Sequence, residues 1–289
     1  MLVSMLEIMK KAQKGGYGVL APNVFKEDSV RACLEAAVEL DAPVIIDVLP
    51  NNHKDLVSFG RIVGQLANEV RIPVALNLDH GDTYECCVQA IYGGFTGIMV
   101  DRASLSFEEN AKEVAYFKRI CEPLGITVEA EFGQIADGCD YAEKREAFLT
   151  DPDMAAKFVE LSGCDTLAVS IGMAHGEYTT KAPDIDFERL EKIKSKVSIP
   201  LVFHGGSWSG DDNIARCCRI GTQKVNMGSD AYNWGYQKLI EHYQAGTPGD
   251  FTLGARQAGN IMWAGYKERV IHYMKLTGSE GKNWLKITD

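Results

Sequence analysis

Eight short apolar runs rich in β-branched residues alternate with longer stretches of helical spacing along nearly the whole chain, a rhythm that few folds satisfy. The runs cover residues 17–24, 43–49, 74–80, 97–101, 128–132, 167–171, 201–204 and 224–227. Helical patterns lie between them, including 27–40, 56–69, 107–120, 154–161 and 187–196. Residues 257–285 read as a long terminal helix and a short tail. Asp151-Pro152-Asp153 is a strong helix start, with proline tolerated in the first turn and an acid at the positive end of the dipole. Eight strand–helix units predict an α/β fold of the (β/α)8 TIM-barrel type. An open doubly wound sheet would carry GxGxxG or GxxxxGK[ST] after an early strand, and neither occurs there. With 289 residues, 46% of them apolar, and no linker, repeat or low-complexity tract, one domain spanning 1–289 is expected.

The formal charge is −10, with no basic block. A phosphate-rich polymer or an anionic membrane surface would be repelled, so neither nucleic acid nor membrane is expected as a partner. The N-terminus enters an amphipathic helical pattern directly, without a basic stretch and apolar core ahead of a cleavage site, and no apolar run approaches 18 residues. A cytoplasmic protein is the expectation. The eight cysteines include the neighbours Cys86-Cys87 and Cys217-Cys218 but no CxxC, which suits reduced, buried small hydrophobes or inert surface thiols.

In a barrel of this type the C-terminal ends of the strands converge on one mouth, so polar residues that close apolar strands are the first candidates for chemistry. Of six histidines, His80, His175 and His204 end the third, sixth and seventh strand runs, and each precedes a glycine that permits close backbone approach. Three neutral imidazoles with an open fourth position suit a catalytic divalent metal, Zn2+ first. His53, in a polar turn, and His242 and His272, in helical patterns, are read as structural. Asp79 precedes His80; strict alternation would aim the two side chains oppositely, a constraint that loosens at a strand end. There Asp79 can act as general acid/base, its bland alternative being a cap on the next helix. Asp101 ends the fourth run, and Glu129 and Glu131 share one face of the fifth. Acids in an apolar strand need cationic or metal partners, so these three are candidates for supporting the metal ligands, holding a second metal position, or simple ion pairing.

Gly205-Gly206-Ser207 after the seventh run and Asn226-Met227-Gly228-Ser229 after the eighth occupy the two places where barrels often bind phosphate through backbone N–H groups and hydroxyls. Asp211-Asp212 starts a helix nearby.

These residues resemble the class II ketose-bisphosphate aldolases, the group containing the fructose- and tagatose-bisphosphate enzymes, over nearly the full chain. The likeness runs from Leu2-Val3-Ser4 and Gly15-Gly16-Tyr17 through Leu78-Asp79-His80-Gly81, Phe107-Glu108-Glu109-Asn110 and Val128-Glu129-Ala130-Glu131. It continues in Phe148-Leu149-Thr150-Asp151-Pro152, Leu167-Ala168-Val169-Ser170-Ile171-Gly172, Ala174-His175-Gly176, His204-Gly205-Gly206-Ser207 and Gly278-Ser279. The resemblance implies Zn2+ on His80, His175 and His204, and Asp79 as the proton donor in the condensation direction. It also implies a substrate phosphate held by Gly176, Gly205, Gly206, Ser207 and Asn226 through Ser229, with Asn23 counted among the substrate-binding residues. A monovalent cation (Na+ or K+) at the phosphate site, a small phosphorylated sugar as substrate and a homodimer or homotetramer are likewise implied. The reaction so implied is reversible retro-aldol cleavage of a phosphorylated ketose to dihydroxyacetone phosphate and an aldehyde.

The acid that protonates the enediolate is expected at Asp137 or Asp140, within Gln134-Ile135-Ala136-Asp137-Gly138-Cys139-Asp140, a shortened form of the family's glycine-rich acidic loop. Leu49 stands where the family usually has Ser, Phe25 for Asn, Asn77 for His, Arg102 for a small residue, Trp208 for Gly or Asp, and Gly228-Ser229-Asp230 for Ala-Thr-Glu. These departures point away from fructose 1,6-bisphosphate. Two rival readings are a metal-dependent barrel epimerase or hydrolase and a catalytically retired barrel serving as a regulatory or assembly subunit. Ala21-Pro22-Asn23-Val24 lacks the HxH pair an amidohydrolase-type barrel would place on its first strand, and a complete histidine set beside Asp79 argues against retirement.

Overall fold

The computed structural model describes residues 1–53, 55–133, 148–174, 183–246 and 254–285. Its eight strands are β1 (Val19–Pro22), β2 (Val44–Val48), β3 (Val74–Gly81), β4 (Gly97–Val100), β5 (Thr127–Phe132), β6 (Thr166–Val169), β7 (Leu201–Phe203) and β8 (Thr222–Met227). All pair in parallel, in the order β1-β8-β7-β6-β5-β4-β3-β2. The ring is brought nearly to closure between the two end strands by the bridge Asn23–Asp47, where Val24 N donates to Asp47 O at 2.9 Å.

The strands are buried almost throughout, as continuous apolar runs covered on both faces should be. Their outward side chains form one core with the surrounding helices α2 (Glu27–Glu39), α3 (Leu56–Glu69), α4 (Tyr84–Tyr92), α5 (Phe107–Cys121), α6 (Pro152–Ser162), α7 (Phe187–Lys196) and α8 (Asp211–Ile220). Two further helices, α9 (Ser229–Ala245) and α10 (Ala255–Thr277), follow β8, and α1 (Met5–Gly15) precedes the barrel. Met5, Ile8, Met9 and Ala12 of α1 pack against Val19, Ala21, Ile45, Ala75, Ala168 and Val202, so α1 plugs the N-terminal end of the barrel interior. Inward positions turn polar two residues further along: Asn23 after Ala21, Asp47 after Ile45, Asn77 and Asp79 after Ala75, and His204 after Val202. The barrel is thus apolar and closed at one end, polar at the other.

Helix boundaries follow local chemistry. Asp55, Thr83, Ser106, Asp151 and Asp186 each accept a first-turn backbone N–H at α3, α4, α5, α6 and α7, a cap contributing about 1 kcal/mol. Helix α6 therefore begins at Pro152, two residues before its apolar spacing, because Asp151 caps it and proline fits the first turn. At the other end of the chain, α10 stops at Thr277 because Gly278 adopts φ 79°, and residues 278–285 are the non-helical tail. The seven cysteines among the described residues are all unpaired and buried, in keeping with their reading as small hydrophobes. No helix of the described residues is long and apolar enough to cross a membrane.

Candidate active site

At the polar end of the barrel lies a cavity of about 150 Å³, walled by Asn23, Leu49, Asp79, His80, His204, Gly205, Gly206, Ser207, Asn226, Met227, Gly228 and Ser229. Asp79 and His80 are adjacent on β3, yet both face it. Leu78 pairs with Ile98 and Gly81 with Val100, so three steps along β3 match two along β4: a bulge. His80 takes φ 52° there, a left-handed conformation that turns its ring to the side Asp79 already occupies. Strand alternation does not hold at these two residues. The cap of α4 is Thr83, so Asp79 does not cap the next helix.

Asp79 is 3% exposed and held by two amides: Asn23 Nδ2 donates to its Oδ2 at 2.7 Å and Asn226 Nδ2 to its Oδ1 at 2.9 Å. Burial alone would raise its pKa, but His80, His204 and Lys224 outweigh that and keep it below the usual carboxylate value. Asn226 Oδ1 is buried and has no hydrogen-bond partner among the described residues, an acceptor in the cavity wall suited to a hydroxyl.

His80 and His204, the two described members of the predicted histidine triad, meet with ring planes 76° apart. His80 Nδ1 lies 2.7 Å from Asp101 Oδ2, and His204 Nε2 lies 3.0 Å from Glu129 Oε1. With each carboxylate accepting a hydrogen bond from the nitrogen it faces, His80 Nε2 and His204 Nδ1 are left facing one another across 3.2 Å, close enough to share one proton. A proton between them satisfies the contact, and a metal cation can take the proton's place. Two nitrogens at about 2.1 Å from a tetrahedral metal stand about 3.4 Å apart, so the separation fits. Asp79 completes a cluster whose donor atoms all lie within 4.8 Å. Burial works against charge on His80, but Asp79, Asp101 and Glu131 reverse that effect and raise its pKa to about 10. A field that retains a proton so strongly also favours a metal cation. Carboxylates behind both imidazoles are the usual supports of metal-bound histidine.

Beneath His204 a second layer braces the first. Lys224 Nζ lies 3.0 Å from Glu129 Oε2, 3.2 Å from Glu129 Oε1 and 3.2 Å from Asp47 Oδ2, all three side chains being fully buried. Asn77 Nδ2 donates to Asp47 Oδ1 at 3.0 Å. Burial disfavours the ammonium, but Asp47 and Glu129 outweigh it and raise the Lys224 pKa. Sequence reasoning singled out neither Asp47 nor Lys224. The signal available was a charged residue inside an apolar strand, as in Val44-Ile45-Ile46-Asp47-Val48.

The two glycine-containing loops close the opposite wall. Gly205 has φ 70°, and a Cβ on Gly206 would lie 2.5 Å from Asn226 O, so neither position accepts a side chain without movement. Ser207 Oγ accepts from Gly228 N at 3.3 Å and Asp230 N at 3.2 Å, linking the loop after β7 to the first turn of α9.

Of the positions where the sequence departs from its resemblance, Leu49 and the Gly228-Ser229 pair line the cavity. Phe25 stacks on Tyr232 with ring centroids 4.3 Å apart, and Asn77 lies under the floor. Arg102 donates through Nη1 to the carbonyls of Gly81, Asp82 and Asp101, bracing strand ends. Trp208, at φ 57° beside Ser207, is not among the lining residues. Asp101 and Glu129 stand behind the histidines, whereas Glu131, 3% exposed, adds its charge to the field at His80. His175, Gly176, Asp137 and Asp140 lie outside the described residues. Among the other histidines, His53 stacks on Phe59, and His242 and His272 sit on α9 and α10.

Residues 3–282 match the family model described as fructose-bisphosphate aldolase class-II. The structure of the YdjI aldolase from Escherichia coli K12 superposes with a TM-score of 0.86 at 30% identity, covering 98% of this chain and 100% of that one. A putative fructose-1,6-biphosphate aldolase from Coccidioides immitis gives 0.84 at 26% identity, over 96% and 97% of the two chains. The fold is shared as well with the fructose-bisphosphate aldolase (Fba) of Campylobacter jejuni, with a TM-score of 0.80 at 23% identity over 98% and 97%.

Proposed function

The chain belongs to the class-II fructose-bisphosphate aldolase family, and from that premise we propose that it is a zinc-dependent aldehyde-lyase. In this reading it reversibly cleaves a phosphorylated ketose to dihydroxyacetone phosphate and an aldehyde. The observation that carries the reading is the pair of imidazole nitrogens 3.2 Å apart, beside a buried Asp79, at the floor of a cavity ending in two glycine-containing loops. His80 and His204 would hold Zn2+, with His175 as the third ligand by family resemblance. Bound there, the metal would supply a Lewis acid that polarises the ketose carbonyl and offsets the negative charge developing on the three-carbon half.

Asp79 takes the proton from the hydroxyl beyond the scissile carbon–carbon bond. The O–H electrons become the carbonyl of the departing aldehyde, and the carbon–carbon pair passes to the three-carbon half that remains, as an enediolate. Asn23 and Asn226 fix Asp79 through its two oxygens, so its reacting lone pair is oriented before substrate arrives. Asn226 Oδ1 is available to a substrate hydroxyl. Gly205, Gly206, Ser207, Met227, Gly228 and Ser229 surround the phosphate, with Gly176 completing the set and Na+ or K+ as a counterion. Asp137 or Asp140 supplies its own proton to the enediolate carbon, and the proton taken by Asp79 passes to solvent to restore the base.

Leu49 puts a methyl-bearing wall where a hydroxyl would meet the reacting carbonyl, which supports a ketose phosphate other than fructose 1,6-bisphosphate. A homodimer or homotetramer is the assembly we propose. The test is cleavage of a panel of ketose 1-phosphates and 1,6-bisphosphates, coupled to detection of dihydroxyacetone phosphate, with and without chelator. Chelator-sensitive release from at least one substrate, lowered about 10²–10⁴-fold by Asp79→Asn, is expected for a lost general acid/base. No release by fully zinc-loaded protein from any substrate would favour a retired barrel.

A further inference from the structure

Helix α9 begins against the cavity and carries an acid in its first turn, Asp230, which by itself would disfavour an anion at that helix end. Its carboxylate is 6% exposed and turned toward α10. Arg269 donates to Asp230 Oδ2 through Nε at 3.0 Å and Nη2 at 2.8 Å, and Tyr273 Oη donates to the same oxygen. The guanidinium also lies over Trp234 at 5.2 Å and Tyr273 at 4.9 Å. Asp230 is tied to the cavity through its backbone, since its N–H donates to Ser207 Oγ, and Ser207 and Ser229 both line the wall. No Lys or Arg lines the cavity among the described residues; the positive groups that act on it are His80 in the wall and the buried Lys224, both on the Asp79 side.

From this geometry we infer that Arg269 and Tyr273 are positioning residues for the anion end of the cavity. Arg269 cancels the Asp230 charge and fixes the first turn of α9, so that Gly228 N and Asp230 N hold Ser207 Oγ with its hydroxyl proton free to meet a substrate phosphate. The inference rests on the phosphate reading of the cavity. It deepens that reading by making the terminal helix, remote in sequence from both loops, the element that sets anion affinity.

A structural strut and an electrostatic balance give different signs. Arg269→Gln leaves the carboxylate uncompensated. Asp230→Asn leaves the guanidinium in excess while keeping an oxygen for Arg269 and Tyr273 to bond. Isothermal titration of zinc-loaded protein with inorganic phosphate should show Kd raised about tenfold or more in Arg269→Gln and lowered by a similar factor in Asp230→Asn, the sign of each set by the charge left without its partner. The double variant should return to within about twofold of the unaltered protein. Binding of neutral dihydroxyacetone should stay constant throughout. If both single variants weaken phosphate binding, or neither changes it, the inference is overturned while the phosphate reading survives. If the unaltered protein binds no phosphate, the reading itself fails and the inference with it.

Discussion

Replacing Lys224 by Met deletes a buried ammonium while keeping most of the volume of its stem, so little cavity cost is added. Two carboxylates, Asp47 and Glu129, then lose their cation, and all three groups are fully buried with N–O separations of 3.0–3.2 Å. Breaking a buried pair by removing one partner costs about 3–5 kcal/mol, a large share of the roughly 5–15 kcal/mol that stabilises a domain. At about 2 °C per kcal/mol for a chain of this size, the expected fall in Tm is about 6–10 °C at pH 7. The penalty has a definite pH sign. It runs through Asp47, whose carboxyl burial already raises above its ordinary value near 4 and which Lys224 holds down: without Lys224 the pKa rises further, so its contribution is intact below about pH 4 and lost as pH rises through the raised value. The gap between variant and parent should therefore narrow from pH 7 to pH 5. Adding Asp47→Asn removes one of the two uncompensated charges and should recover part of the loss. Scanning calorimetry of chelator-treated proteins at both pH values provides the measurement. A deficit under about 1 kcal/mol at pH 7, or one that widens at pH 5, would refute the ion-pair account of the barrel interior.

Two further outcomes follow from the site. Glu129→Gln removes the charge that faces His204 Nε2 at 3.0 Å, and zinc affinity measured by competition with a chelator should fall about 10–100-fold; unchanged affinity would separate Glu129 from the metal centre. Gly206→Ala brings a methyl within 2.5 Å of Asn226 O, a backbone atom that cannot swing aside, so the loop must shift at a cost of about 1–3 kcal/mol. Its KM for a cleaved ketose phosphate should rise tenfold or more, and an unaltered KM would place the phosphate elsewhere.

The rhythm of apolar runs and helical stretches was enough to indicate the barrel, because both are written in spacings of two to four residues. The helix start at Asp151 was legible for the same reason: a cap and the N–H groups it receives are near neighbours in the chain. His80 and His204 stood out as polar residues closing apolar strands, and the structure brings their rings together across 124 positions. Other features depended on the ring being formed. The bulge that points Asp79 and His80 the same way exists only in the register of β3 against β4, so no local pattern announces it. Lys224, Asp47 and Glu129 come from three strands, and their partnership depends on the arrangement of the whole barrel. The Asp230–Arg269 pair likewise depends on how α10 docks on α9. Local periodicity fixes which elements form and which face each buries; the pairing of charges in the interior is a through-space property, set when strands far apart in the chain are brought to within hydrogen-bonding distance.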